Sequence, residues 1–191
     1  MNYIVMDLEF NWPYGSNLSE NNGVRLRNEI IEIGAVKMDE SLICVGTFKM
    51  FVKPKAYIRV NRKVRRLTGI STYMLWYVNP FPEVIRRFFA WCGDECSFVT
   101  WSRWDIRVLK ENMAYHGLND RGLPVCYDLQ RMFDDQVSRQ GCAVALSKAV
   151  ESLDIDLKGR HFHDAFGDAY GTAEILKKLD LHKGLNGYSV S

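Results

Sequence analysis

The chain has 191 residues, 47% hydrophobic and 25% charged, with a formal net charge of +2. Five prolines and 14 glycines exclude a disordered or collagen-like chain, and the length suits a single domain, residues 1–191, whose core needs neither disulfides nor a structural metal. No run approaches the ~20 apolar residues of a membrane-spanning helix, and the opening MNYIVMDLEFN lacks the basic flank of a secretory signal.

Tyr3–Met6 is a short apolar run rich in branched residues and predicts a buried strand. A polar loop is expected from Asn11 to about Asn28. A second strand follows through Ile30, Ile31, Ile33, Ala35 and Val36. Asp39-Glu40-Ser41 reads as a hairpin turn into a third strand over Leu42–Val52, which Pro54 ends. Asn61–Leu67 predicts a short basic helix stopped by Gly69. Val84, Ile85, Phe88, Phe89 and Trp91 recur at helical spacing and close at Gly93. Ser97–Trp101 predicts a strand, Ile106, Leu109 and Met113 a helix ending near Gly117, and Val125–Tyr127 a further strand. Two helices are expected near Ala143–Leu153 and Ala165–Leu179, with structure ending at about 182 and a short tail beyond. Three successive strands followed by alternating helices and strands give an α/β fold. Its centre is one mixed five-stranded sheet, the first three strands antiparallel, flanked by helices.

Charge is laid out unevenly. No acidic residue lies between Glu40 and Glu83, a stretch holding Lys49, Lys53, Lys55, Arg59, Arg62, Lys63, Arg65 and Arg66. A basic flank beside acids elsewhere suits a site that attracts a polyanion and holds cations, although a solvated helix face would read the same way. The five cysteines, Cys44, Cys92, Cys96, Cys126 and Cys142, form no CxxC pair. They read as reduced thiols of a cytoplasmic protein, with Cys92 and Cys96 as packing rather than a zinc site.

Asp7-Leu8-Glu9 ends the first strand, where residues two apart share a face, so two carboxylates stand side by side. Such a pair on a buried strand needs a neutralising cation, and hard divalent ions prefer oxygen; alternatively Glu9 turns to solvent. In His163-Asp164-Ala165-Phe166-Gly167-Asp168-Ala169, Asp164 can cap a helix that carries Asp168 one turn further in. Ala165 and Ala169 would let that helix approach the sheet, and His163 would overhang the acids as a proton acceptor or serve as a packing residue. Asp105, after an aromatic-rich strand, is either a third acid of the site or a helix-terminal carboxylate. His116, His161 and His182 read as surface or packing residues.

Together, Asp7-x-Glu9, Asp105 and His163-x-Ala165-x-x-Asp168-Ala169 resemble the DEDDh 3′→5′ exonucleases over nearly the whole chain. Asn28–Val36, Val52-Lys53-Pro54, Leu67-Thr68-Gly69-Ile70 and Trp104-Asp105 look like the ERI-1-like branch, as does Phe10 where many DNA-proofreading members carry Thr. The resemblance implies an RNase H-like fold and two divalent ions, Mg²⁺ or Mn²⁺. Asp7 would bridge both ions, Glu9 and Asp168 would complete one site, and Asp105 would serve the second through water. His163 would be the general base, with Glu9 beside it among the catalytic groups. The expected reaction is hydrolysis at the 3′ end of single-stranded RNA or short overhangs, releasing nucleoside 5′-monophosphates. A DNA-directed exonuclease of the same fold and a nucleic-acid-binding module without catalysis are the alternatives. Phe10 and Trp104 are expected to stack on bases, Thr68 or the Gly69 backbone to meet the terminal sugar, and Arg65 and Arg66, with Arg62 and Lys63, to track phosphates. Phe10 reads equally well as core, and Trp101 reads as core. Target selectivity must come from this domain or from a protein partner, and no membrane is expected.

Overall fold

The computed structural model describes residues 1–180 and 185–190; His182 lies outside the described residues. Five strands of the main sheet match expected segments. They are β1 (Asn2–Asn11), β4 (Glu29–Met38), β5 (Cys44–Phe51), β6 (Cys96–Thr100) and β7 (Cys126–Asp128). The loop expected over 11–28 contains a small hairpin, β2 (Ser19–Asn21) and β3 (Val24–Leu26). A sixth strand corrects the five-strand expectation. β8 (Ser189–Val190) lies where a tail was expected and pairs with β7 through Cys126 and Tyr127. Two residues are too few to show an apolar period.

The sheet order is β5-β4-β1-β6-β7-β8. β5, β4 and β1 run antiparallel, as expected, and β1, β6 and β7 run parallel. Seven-residue α1 (Arg62–Thr68) starts at Asn61, whose side chain accepts from Lys63 N, and ends at Gly69 with φ 74°. That left-handed turn costs glycine little. α2 (Phe81–Cys92) and α3 (Arg103–Tyr115) follow. α4 (Leu129–Phe133), which was not foreseen, precedes α5 (Leu146–Ser152) and α6 (Ala165–Leu176).

β1 is covered on both faces. Ile4, Met6 and Leu8 join a cluster with Val84, Phe88, Ile106 and Leu109 of α2 and α3. Val5 points the other way, to Val150, Ala173 and Leu176 of α5 and α6. Continuing the odd-numbered face, Asp7 and Glu9 emerge beyond Val5 at the carboxyl end of the strand. There β1 has a parallel neighbour on one side and an antiparallel one on the other, the kind of switch point at which open α/β sheets bind ligands.

Gly34 seats α6. It pairs with Asp7 across the ladder, and a Cβ built on it would lie 2.2 Å from both the Ala165 carbonyl carbon and the Phe166 nitrogen. No other residue fits there without moving the helix. Gly34→Ala is expected to destabilise the chain by about 1–3 kcal/mol, lowering Tm by about 2–4 °C per kcal/mol. Because α6 carries Asp168, nuclease activity should fall with it. Thermal melts and a nuclease assay check both, and an unchanged Tm would contradict the seat.

Candidate active site

The strand geometry brings Asp7 and Glu9 out together, and α6, seated on Gly34, delivers Asp168 to them. Carboxylate oxygens of Asp7, Glu9 and Asp168 all lie within 4.8 Å of one another, the one such cluster among the described residues. Asp105 is the third residue of α3 and is buried. Its carboxyl group lies near the Leu8 backbone of β1. Asp105 lines the same cavity but stands outside the three-residue cluster. That cavity, about 270 Å³, is also lined by Phe10, Trp12, Leu67, Thr68, Trp104 and His163.

β4 carries one extra residue, Ile31, between the pairs Glu9–Glu32 and Phe10–Ile30. Such a bulge re-aims side chains beside a site. Asn112 on α3 braces the bulged stretch, accepting from Ile30 N at 3.0 Å and donating to the Asn28 carbonyl at 2.8 Å.

All four acids bind their protons more tightly than ordinary carboxyl groups. Burial, then the charges of Asp168, Glu32 and Asp105, pushes Glu9 up to about 8. Burial carries Asp105 up to about 7 despite the Leu8 amide, and it carries Asp168 up to about 6 despite the His163 amide. Asp7 is raised well above the usual carboxylate range by burial and by Asp105, Asp168, Glu9 and Glu32. Asp168 Oδ1 is buried without any hydrogen-bond partner. Clustered hard oxygens with an orphaned acceptor are the donor set a divalent cation fits.

His163 is exposed at the cavity rim with φ 62°. Its backbone N–H donates to Asp168 Oδ2 at 3.1 Å. Asp164 caps α6 by accepting from Gly167 N at 3.0 Å, and its other oxygen pairs with Lys49 of β5. Lys49 also lies 3.4 Å from Glu32, whose Oε2 accepts from Ala165 N at 3.2 Å. Glu32, Lys49 and Asp164 thus clamp the start of α6 to the sheet. Sequence reasoning missed Glu32 and Lys49 as a pair. A lone acid inside the apolar run Ile30–Val36 was the available signal for Glu32; Lys49 had none, because Asp164, one of its two partners, is 115 residues away.

Other expected contacts divide. Trp104 is 42% exposed and lines the cavity. Phe10 does both things expected of it, packing on the α2–α3 cluster and lining the cavity. Thr68 reaches the cavity, but its hydroxyl donates to the Val64 carbonyl and accepts from Ile70 N, each at 3.0 Å. Gly69 lies outside the lining, and its N–H closes α1 on the Arg65 carbonyl. Arg65 and Arg66 are exposed on α1, also outside the lining. Trp101 is buried, donating its indole N–H to the Val144 carbonyl, yet it forms part of the cavity wall. His116 packs on Phe81 and is pushed down to about 4 by burial and Lys55. His161 is exposed. No helix among the described residues is long and apolar enough to cross a membrane.

This architecture is that of the DEDDh exonucleases, in a six-stranded version. The nuclease domain of 3′hExo, a DEDDh family member, bound to rAMP superposes with a TM-score of 0.77 at 20% identity, covering 100% of this chain and 96% of that one. Cell-death related nuclease 4 gives 0.73 at 21% identity, over 96% of this chain and 64% of its own. Residues 4–176 match the family described as Exonuclease (RNase_T), and the chain belongs to that family. It is 26% identical over 187 residues to the probable 3′-5′ exonuclease KapD of Bacillus subtilis (strain 168), covering 94% of this chain and 85% of KapD. It is 29% identical over 156 residues to the PolC-type DNA polymerase III of Caldanaerobacter subterraneus subsp. tengcongensis, covering 81% of this chain but 10% of that polymerase. The protein is a nucleic-acid hydrolase, a 3′→5′ exonuclease, of a family that uses divalent metal ions.

The raised carboxyl values make stability pH-dependent. Each group binds its proton more tightly folded than unfolded, where ordinary values near 4 apply. The folded chain therefore carries more protons across this window, and unfolding free energy falls as pH rises. Without divalent ions, Tm should decline from about pH 5 to about pH 8. Asp7→Asn removes one of the crowded charges and should flatten that decline, and Mn²⁺ should offset it in the wild type. Parallel melting curves for wild type and Asp7→Asn would count against the crowding.

Proposed function

We propose that this exonuclease removes nucleoside 5′-monophosphates from the 3′ end of single-stranded RNA or short overhangs. The convergence of Asp7, Glu9 and Asp168 under His163 carries the reading. Asp7, Glu9 and Asp168 would hold one divalent ion, Mg²⁺ or Mn²⁺, and Asp7 with Asp105 would hold a second. Bound there, the ions would activate the attacking water and offset charge on the departing 3′-oxygen. Oxygen-only donors suit Mg²⁺ and Mn²⁺ better than Zn²⁺.

His163 accepts the proton of the attacking water. Its exposed ring has room to reach the cavity, while the backbone bond to Asp168 keeps it beside the acids. Phe10 and Trp104 offer ring faces to the terminal bases. The Thr68 hydroxyl can meet the terminal sugar only as an acceptor, or after giving up its bond to Val64.

RNA is favoured by the likeness to 3′hExo bound to rAMP and to a 3′-exonuclease on a histone mRNA stem-loop. DNA is the second reading, supported by the polymerase relative and by the likeness to exonuclease X on an overhanging DNA duplex. A protein partner would supply target selectivity beyond this domain. All five cysteines are free, consistent with a reducing cytoplasm.

Time-resolved digestion of 3′-labelled and 5′-labelled RNA and matched DNA, with Mg²⁺ or Mn²⁺, tests this. Wild type should shorten the strand from its 3′ end, release 5′-monophosphates and prefer RNA in competition, and Asp7→Ala should be inactive. Equal digestion by the two proteins overturns the site, and a DNA preference overturns the substrate. His163→Ala should lose about 10²–10⁴-fold in turnover while retaining Mn²⁺ affinity by titration calorimetry. Lost affinity would reassign His163 to the ligands.

A further inference from the structure

The catalytic cavity is one of three hollows joined at a single side chain. Trp12, just past the end of β1, lines the cavity of about 270 Å³ that holds the acids. It also lines a hollow of about 660 Å³ with Tyr14, Arg59, Arg62 and Lys63, and a third of about 450 Å³ with Tyr14, Tyr57 and Arg59. Helix α1 walls the passage: Val64 and Leu67 face the acids, and Arg62 and Lys63 face the next hollow. No acidic side chain lines either outer hollow. Arg59, Arg62 and Lys63 are exposed and form no salt bridge among the described residues.

The passage is built, not loose. Asn11 is fully buried and donates to the carbonyls of Tyr57 and Arg59 at 2.9 and 3.1 Å while accepting from Asn61 N at 2.9 Å. Glu29 accepts the amides of Lys55, Ala56 and Tyr57 at 2.5–2.7 Å. The Tyr14 hydroxyl donates to the Val60 carbonyl at 3.0 Å. The basic segment is therefore tied to the end of β1, which carries Asp7 and Glu9, and to the start of β4 beside it. Two hollows share Trp104 with the cavity and are mixed in charge: Asp128, Asp134 and Asp135 line one beside Arg103 and Arg131, and Glu111 lines the other among Arg103, Arg107, Lys110 and Arg131.

Resting on the exonuclease reading, we propose that the single strand upstream of the scissile end leaves the catalytic cavity over Trp12. It then runs through the hollow of Tyr14, Arg59, Arg62 and Lys63. Aromatic faces interleaved with unpaired cations are what binds a single strand without reading its sequence. Trp12 stacks a base near the scissile end, Tyr14 offers a further ring, and the three cations meet phosphates. Short oligomers that cannot reach past Trp12 are weak substrates.

The test uses the full chain and single-stranded oligomers sharing one 3′ end, from about two to about twelve nucleotides, a range spanning typical single-strand sites. In wild type, kcat/KM should climb with length and then level off. Trp12→Ala should lower the long-to-short kcat/KM ratio about 5–150-fold, the equivalent of ~1–3 kcal/mol of stacking. The surface variant Arg59→Ala/Arg62→Ala/Lys63→Ala covers the case in which Trp12→Ala fails to fold. Its log–log salt slope for binding a labelled twelve-mer, measured by anisotropy in an Asp7→Asn background, should be shallower by about 2. Arg107→Ala/Lys110→Ala, on the Trp104 side, should change neither readout. The route is overturned if the triple variant keeps the wild-type length dependence and salt slope, or if Arg107→Ala/Lys110→Ala removes them. Hydrolysis of no oligomer at all would fail the exonuclease reading instead, and the binding arm would still decide the route.

Discussion

Everything around the acidic cavity of this molecule answers to the burial of several carboxyl groups together, away from water. Asp7, Glu9, Asp105 and Asp168 all lie above their ordinary proton affinities, chiefly through burial. A flexible chain would relax that crowding by swinging the groups apart. Here β1 fixes two of them by strand parity, and α3 and α6 carry the third and fourth to the same cavity. The cost is met by the packing of the two clusters that sandwich β1, and the resulting charge density is what makes the site attractive to divalent cations.

The remaining features follow from keeping α6 in place. Gly34 lets the helix start directly on the sheet, and the small residues Ala165, Ala169 and Ala173 continue the close approach. Lys49 pairs with both Glu32 and Asp164 beside the acidic cavity and offsets one of their two charges. Breaking such a partly buried arrangement would leave an uncompensated acid, a larger penalty than the pair's own net contribution. The same clamp holds the left-handed turn at His163, placing the imidazole and Asp168 at one corner of the cavity.

The charge asymmetry of the chain acquires a spatial meaning. The basic segment is folded back and bonded by Asn11 to the end of β1, which bears Asp7 and Glu9, and by Glu29 to the start of β4. Cations and carboxylates are therefore adjacent without neutralising one another. The arrangement suits the polyanion proposed as substrate, with arginine and lysine beside its phosphates and the acidic cavity at its terminus.

Much of this was legible in the linear sequence, because it depends on local periodicity. Parity put Asp7 and Glu9 on one face, a capping residue placed the start of α6 and hence Asp168, and apolar spacing located five strands of the main sheet and most of the helices. What escaped depends on contacts distant in sequence or too short to show a period. The two-residue β8 is an edge strand whose sheet neighbour is β7, and the β2–β3 hairpin lies in a polar stretch with few apolar positions. Lys49 acquires its role only when β5 comes under the cap of α6, and Trp12 joins three hollows only when the basic segment packs beside β1. Thr68 and Gly69 had suitable chemistry in the sequence, yet helix closure engages their donors first. The sequence alone determined which residues could carry the chemistry. The tertiary structure decided which of them meet, since like charges share a cavity only where the packing of distant segments holds them there.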